Sequence, residues 1–391
     1  MLLYYVLVFV SILNPAHPTR NEETFMKVPQ LISHFGYMFE EHYVTTEDGY
    51  ILTVHRIPVG RDDRPAPHSS HRRPPVLLMH CLLCDSSVFV LNLPTQSLGF
   101  VLADAGFDVW MANTRGNEYG KNHSYLSVGD KAFWNFTWYH HSRYDLKNTV
   151  EYVINATKQE DIYYIRAFFG LGPIGGLSTS IPVFYLASFP FYGLTEYAVR
   201  MLSGVPLDVP HFLKKYFAGF CSVNVMSKVC NVFLTLVGMG TEQLTQFNNS
   251  RWDVVAGHLP SASSALNLLH WAQVLRFHEL RKFDYGEARN IDVYGQKQPP
   301  LFNLTRITTP MFMFWSSDDT LAPDTDVREH IIKKLGNALK GSFALAHFTH
   351  IDFILGLRAT EDVYKPIVRL IYNDLAERAK TLHRLRTIIL K

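Results

Sequence analysis

The chain has 391 residues, of which 47% are hydrophobic, 14% aromatic and only 18% charged. Its 27 Phe, 20 Tyr and 6 Trp exclude a disordered chain, and 37 basic against 35 acidic residues leave a net charge of +2, with no electrostatic footprint for nucleic acid. This length suits two or three domains, or one elaborated α/β domain.

Taken in chain order, Leu2 to Leu13 is an apolar run of about a dozen residues followed by Pro15 and Ala16. That is the length of a signal-peptide core, too short to span a bilayer comfortably, and it predicts a leader over residues 1–19 and a secreted or lysosomal address. A buried N-terminal helix is the competing reading of the same run. No later stretch is long and apolar enough for a transmembrane helix. Asn-x-Ser/Thr sequons at Asn122, Asn135, Asn155, Asn248 and Asn303 agree with a secreted, glycosylated chain.

Tyr43 to Thr46 and Tyr50 to Ile57 read as the arms of a β-hairpin, because Asp48-Gly49 separates two β-branched, alternating runs. The Pro-, Arg-, His- and Ser-rich stretch from Arg61 to Pro75 reads as an exposed loop. Val76 to Met79 and Phe107 to Met111 are continuous apolar runs, as buried parallel strands are. Between them, Ser97 to Gly106 has helical spacing and stops on glycine. Tyr144 to Ala156 reads as a further helix. Ile162 to Ile165, Met311 to Phe314 and Phe343 to Ala346 read as further strands. Strands alternating with helices predict an α/β fold with a mainly parallel central sheet. The apolar, helix-like stretch over 211–300 interrupts that rhythm and reads as an inserted cap or lid.

Two cysteine pairs stand out. Cys221 and Cys230 are close enough for a local disulfide in an oxidising compartment, whereas Cys81 and Cys84 read as free thiols beside a buried strand rather than a redox dithiol. No metal-type His spacing accompanies Cys81 and Cys84.

In an open α/β sheet, ligands bind beyond the carboxyl ends of the strands. After the strand ending at Trp315 comes Ser316-Ser-Asp-Asp-Thr320, and after the last strand comes Phe348-Thr-His350-Ile-Asp352. A carboxylate after one strand and a histidine after the next form the later half of a Ser-Asp-His triad, in the chain order of α/β-hydrolases. Each residue alone is commonplace; together and in order they favour chemistry.

The text from about residue 30 to 370 resembles the acid lipase family of α/β-hydrolases. The resemblance rests on His34-Phe-Gly-Tyr37, Val44 to Leu52, Arg56-Ile-Pro58, Leu102 to Trp110, Asn113-Thr-Arg-Gly-Asn117, Tyr144-Asp145, His258 to Ser261, Leu269-His-Trp271 and His350 to Phe353. It implies Asp319 as the triad acid, with Asp318 a neighbouring rival, His350 as the general base and Asp352 as a structural residue. It also implies the cap disulfide Cys221–Cys230. The family's His-Gly-Leu-Leu element reads His80-Cys81-Leu82-Leu83 here, which makes Leu82 an oxyanion donor and puts cysteine where glycine is expected. If that position needs a conformation that only glycine adopts readily, the donor would be displaced. His140 and His141 read as surface residues, and the basic tail from Glu377 as a solvated helical extension.

The nucleophile elbow should follow Ile165 as Gly-x-Ser-x-Gly on a sharp strand-to-helix turn. The text there is Arg166-Ala-Phe-Phe-Gly170-Leu-Gly-Pro-Ile-Gly-Gly176-Leu-Ser178-Thr-Ser180, and counting from the strand puts Phe168 at the serine position. Counting back from Val183 to Ser188, which resembles the family helix, puts Ser178 within one residue of the nucleophile and Thr179 as the second oxyanion donor. Three readings stay open: an unusual elbow at Ser178, an inactive lipase-fold protein, or a gene model in which this segment replaces a normal elbow.

The sequence therefore predicts an α/β-hydrolase core over 29–210 and 301–375, a cap over 211–300 and a basic helical tail over 376–391. The expected reaction is hydrolysis of acylglycerols or sterol esters at a lipid–water interface by Ser178, Asp319 and His350, serine-hydrolase chemistry that needs neither a metal nor a cofactor. The alternative is a catalytically impaired homologue that binds lipid.

Overall fold

The computed structural model describes residues 21–63, 73–177, 192–201, 204–221, 230 and 246–389. The leader expected over residues 1–19, together with Ser178 and Thr179, lies outside them.

The hairpin forms as its text predicts. Strand β1 (Glu40–Thr45) runs antiparallel to β2 (Tyr50–Ile57). At the turn the Thr46 hydroxyl donates to Asp48 Oδ1 at 2.7 Å and accepts from the Tyr50 N–H at 2.9 Å. Gly49 sits at φ +98°, where a Cβ would meet the His123 ring at 2.7 Å, so this corner requires glycine.

From β2 the sheet continues through β4 (Asp108–Met111), antiparallel to β2, to β3 (Pro75–Leu78), parallel to β4. Strand β5 (Asn122–His123) is a short addition on β2. A second parallel sheet holds β6 (Phe168–Leu171), β9 (Met311–Trp315) and β10 (Leu339–Ala344), in the order β10-β9-β6. Strands β7 (Pro206–Leu207) and β8 (Ser263–Ser264) form a separate antiparallel pair.

Strands β3, β4 and β9 are almost wholly apolar because both faces are covered, whereas β10 alternates half-buried with exposed residues. Val109, Trp110, Met111 and Phe314 are buried, and the Phe314 and Phe343 rings stack at 4.5 Å. The helix Leu98–Asp104 presents Phe100 and Leu102 to this core, and Gly106 at φ +88° follows it. The helix Lys365–Ile389 lies against the other end, where Tyr364, Ile367 and Ile371 are buried. Arg166 bonds Asp374 on that helix through Nε at 2.8 Å and Nη2 at 3.0 Å, which gives this half-buried guanidinium a fixed partner just before β6.

Between β6 and β9 the described chain is mainly helical, with helices His211–Cys221, Trp252–His258, Ala265–Phe277 and Glu287–Tyr294. The first two pack on each other, and Cys221 is joined to Cys230. Arg251 fastens this layer to the core by donating to the Leu91 carbonyl and to Glu23. Among the described residues no helix is long and apolar enough to cross a membrane.

Three expectations need correction. Ile162 to Ile165 is not a strand: it touches the sheet at one bridge, Tyr163 to Val76, and Phe168–Leu171 forms the next strand instead. Cys81 and Cys84 are not free thiols but a disulfide, because a tight turn brings their Cα atoms to 5.3 Å. His140 and His141 are not surface side chains. They are half-buried under the aromatic cluster around Phe136, and burial pushes the His140 imidazole down to about 4 and the His141 imidazole well below the ordinary range.

Candidate active site

Asp319 and His350 follow β9 and β10, adjacent parallel strands, so sheet geometry brings their loops side by side at the carboxyl ends. Asp319 is 1% exposed and its carboxylate is fully employed. Oδ1 accepts from the Leu321 and Ala322 N–H groups, each at 2.9 Å, and Oδ2 faces His350 Nδ1 at 2.9 Å. With Asp319 accepting, Nδ1 carries the proton and Nε2 is left as the basic nitrogen. Burial opposes the imidazolium, but the charge and hydrogen bond of Asp319 outweigh it, so the His350 pKa lies above the ordinary imidazole value.

The loop that presents His350 is held at several points. Ser316 Oγ accepts from the N–H of Asp318 at 3.1 Å and of Phe348 at 3.4 Å. Asp318 Oδ2 accepts from the His347 N–H at 2.9 Å, which secures the left-handed turn at His347, φ +61°. Asp318 is thus engaged with His347, and Asp319 alone of the two meets His350. Beyond the histidine, Asp352 Oδ2 accepts from the Thr349 N–H and hydroxyl at 2.8 and 2.7 Å.

The chain leaving β6 passes directly beside this pair. Gly172 has φ +55°, and a Cβ there would lie 3.1 Å from both Asp319 Oδ2 and His350 Nδ1. Glycine is needed on both counts. Three and four positions further, the chain is anchored by buried Asp326, whose Oδ2 accepts from the Gly175 and Gly176 N–H groups at 3.2 and 2.8 Å. The sequence offered no signal for Asp326, since an Asp in an Asp-rich turn looks like any N-terminal helix residue.

The loop after β3 carries the His80-Cys81-Leu82-Leu83 element. His80 Nδ1 donates to the Cys81 carbonyl at 2.8 Å, and Nε2 accepts from the Thr114 N–H at 3.2 Å and Asn117 Nδ2 at 3.0 Å. Burial pushes the His80 imidazole below its ordinary value, so it is a neutral, fixed connector. Leu82 follows. The concern over cysteine in a glycine position does not materialise, because Cys81 is outside the left-handed region and Leu83 occupies it at φ +57°. Among the described residues no group of three or more His, Cys, Asp or Glu is arranged to hold a metal ion.

A family model described as a partial alpha/beta-hydrolase lipase region matches residues 28–93. Over almost the whole length, the chain is 33% identical to the gastric triacylglycerol lipase of Bos taurus, across 383 residues covering 91% of this chain and 93% of that one. It is 35% identical to the lysosomal acid lipase/cholesteryl ester hydrolase of Homo sapiens over 377 residues, 89% of this chain and 91% of that one. The chain belongs to the acid lipase family. Its likeness to a solved putative lipase from Sulfolobus solfataricus, with a TM-score of 0.52 at 13% identity over 87% of this chain and 95% of that one, establishes the α/β-hydrolase fold.

One part of this acid lipase departs from the expected architecture. Strands β4 and β3 and the bridge at Tyr163 occupy successive lanes of one sheet, and β6 opens the next sheet beside β9. A hydrolase elbow is a sharp turn from a sheet strand into a helix, and the one expected after Ile165 would have its strand in the lane of Tyr163. Here that lane holds one bridged residue, with neither elbow nor helix before β6 begins. The sequons fall mostly on open surface: Asn122, Asn135, Asn155 and Asn303 are exposed, while Asn248 is half-buried and bonded to Gln96.

Proposed function

We propose that this chain hydrolyses carboxylic esters of apolar lipids, acylglycerols or sterol esters, at a lipid–water interface. The observation that carries the reading is the 2.9 Å contact between a buried Asp319 and His350 Nδ1. Ser178 is the attacking hydroxyl, the first one after β6 leaves the sheet beside that pair. His350 Nε2 takes its proton as the Oγ–carbonyl bond forms, and Asp319 orients and stabilises the imidazolium. The N–H groups of Leu82 and Thr179 hold the oxyanion. The proton then passes to the departing alcohol, and water releases the acyl group by the same steps in reverse. The two disulfides fit the oxidising, secreted or lysosomal address that the leader implies.

A second reading, lipid binding without turnover, is favoured by the lane beside β3, where a single bridged residue stands instead of a strand and elbow. A fluorophosphonate probe separates the two. Label at Ser178 with release of fatty acid from a glyceride or sterol ester supports hydrolysis. Lipid binding with no label and no release supports the second reading.

A further inference from the structure

The turn after β3 is closed twice over. On one side His80 is fixed to Thr114 and Asn117, and on the other the Ser86 N–H donates to Asn113 Oδ1 at 2.9 Å. The Leu83 carbonyl also accepts from the Ser261 N–H of the cap layer at 2.7 Å. Within that frame, the Cys84 N–H donates to the Cys81 carbonyl at 3.2 Å and the side chains form a disulfide. A cross-link between residues three positions apart removes less chain entropy from the unfolded state than the Cys221–Cys230 link, nine apart. With both flanks already secured by hydrogen bonds, its effect falls on what it encloses: Leu82 and left-handed Leu83.

The two disulfides also differ in access. Cys81 is exposed while Cys84 is 8% exposed, whereas Cys221 and Cys230 are each 1% exposed. Thiol–disulfide exchange requires in-line approach to one sulfur, so the linkage that includes an exposed cysteine is the one open to attack and the cap disulfide is shielded.

We propose that Cys81–Cys84 is a thiol-exchangeable clamp on the oxyanion loop, a positioning element for the Leu82 N–H. This rests on the hydrolase reading for its catalytic consequence, but not for its chemistry. A dithiol reductant attacks Cys81 Sγ as a thiolate, the Sγ–Sγ bond breaks, and Cys84 leaves as a thiolate that takes up a proton. The second thiol of the reductant then attacks the mixed disulfide, releasing Cys81. Two electrons and two protons reach the protein, and the reductant leaves as its disulfide.

The test uses the full chain, oxidised, with dithiothreitol as reductant, under native conditions. Differential alkylation read by mass spectrometry is expected to modify Cys81 and Cys84 at least about tenfold faster than Cys221 and Cys230. Amide exchange is expected to accelerate at residues 81–84 and not in β3 or β4, with the thermal midpoint moving by no more than about 5 °C. The paired substitutions Cys81→Ser and Cys84→Ser are expected to reproduce the faster exchange without reductant. Equal resistance of both disulfides, or selective opening with unchanged exchange at 81–84, overturns the proposal. Ester turnover is expected to fall by at least about tenfold on opening, within the 100- to 1000-fold cost of a lost oxyanion donor. An oxidised chain without turnover counts against the hydrolase reading alone, since alkylation and exchange are read independently of it.

Discussion

Tyr163 is paired with β3 through Val76, and Phe168, five positions on, is paired with β9 opposite Met311. Parallel strands are joined by crossovers of about a dozen residues or more, usually a helix, so four intervening residues cannot return the chain across the sheet. The chain instead steps sideways from one lane to the next. What an α/β-hydrolase inserts at that step is its nucleophile elbow and the helix behind it.

Transcripts sequenced across codons 160–185 are therefore expected to include a form with at least about a dozen additional in-frame codons between those of Tyr163 and Phe168, containing Gly-x-Ser-x-Gly. A protein made from that form is expected to turn over esters faster than this chain and to take fluorophosphonate at the added serine. Finding only the present reading in every transcript would remove this explanation of the short step and leave Ser178 as the nucleophile to be tested.

Replacing Asp319 with Asn tests the pair directly. An amide cannot compensate an imidazolium and favours the wrong tautomer, so ester turnover is expected to fall by about 10⁴-fold. The sign of the pH effect follows from the raised His350 pKa, which Asp319 maintains against burial. Without the carboxylate that pKa falls, and the acid limb of kcat/KM for the residual activity is expected to move to lower pH. The same fall can be followed by NMR titration of the His350 ring, which reports even if the chain turns nothing over.

His55 is fully buried, with Nδ1 on Ser86 Oγ at 2.8 Å and Nε2 facing Glu41 at 3.5 Å. Burial lowers its pKa to about 4, despite the nearby Glu41 and Asp85 charges. The unfolded chain takes up this proton near pH 6.5 and the folded chain refuses it until about pH 4, so stability falls as pH drops through that window. His140 and His270, also held at about 4, act in the same direction, while Asp145, pushed up by burial to about 6, opposes them over its own range. His55→Asn is expected to flatten the pH dependence of urea unfolding between pH 4 and 6.5, by up to about 1.4 kcal/mol per pH unit.

Arg115 lies buried between two acids. Its Nε donates to Asp145 Oδ1 at 2.9 Å and its Nη2 to Asp48 Oδ1 at 2.9 Å, and its guanidinium lies 4.0 Å from the Tyr50 ring centroid. Asp145 has no exposed surface, so removing the cation leaves a carboxylate without compensation. Arg115→Met is expected to destabilise by about 3–5 kcal/mol in chemical denaturation. Adding Asp145→Asn is expected to recover part of that loss, a coupling that simple loss of packing would not produce.

Much of the fold was legible because its signals are local. Asp48-Gly49 between β-branched runs reads as a tight turn, and the apolar runs at Val76, Phe107 and Met311 read as strands covered on both faces, as the run at Ile162 also did. Asp319 and His350 were legible as polar residues following such strands. Cys81–Cys84 was misread because a short spacing does not reveal whether the turn closes, and the histidines at 140 and 141 because a polar pair looks like surface until the aromatic cluster around it is folded. Asp326 carries no pattern at all, since its partners are the backbone N–H groups of Gly175 and Gly176, and the motif that contains His80 does not show that its ring is fixed to the loop at Thr114.

By itself the sequence determined the family, the hairpin, the apolar strands and the residue types on hand for ester chemistry. Periodicity, turn chemistry and motif order are properties of neighbouring residues, and neighbours are what a sequence displays. Only the tertiary structure decided which carboxylate meets His350, that two cysteines close the turn after β3, and that the chain passes from Tyr163 to Phe168 without crossing the sheet. Those depend on which strands lie in adjacent lanes, and lane order is set by long-range pairing that no local pattern encodes.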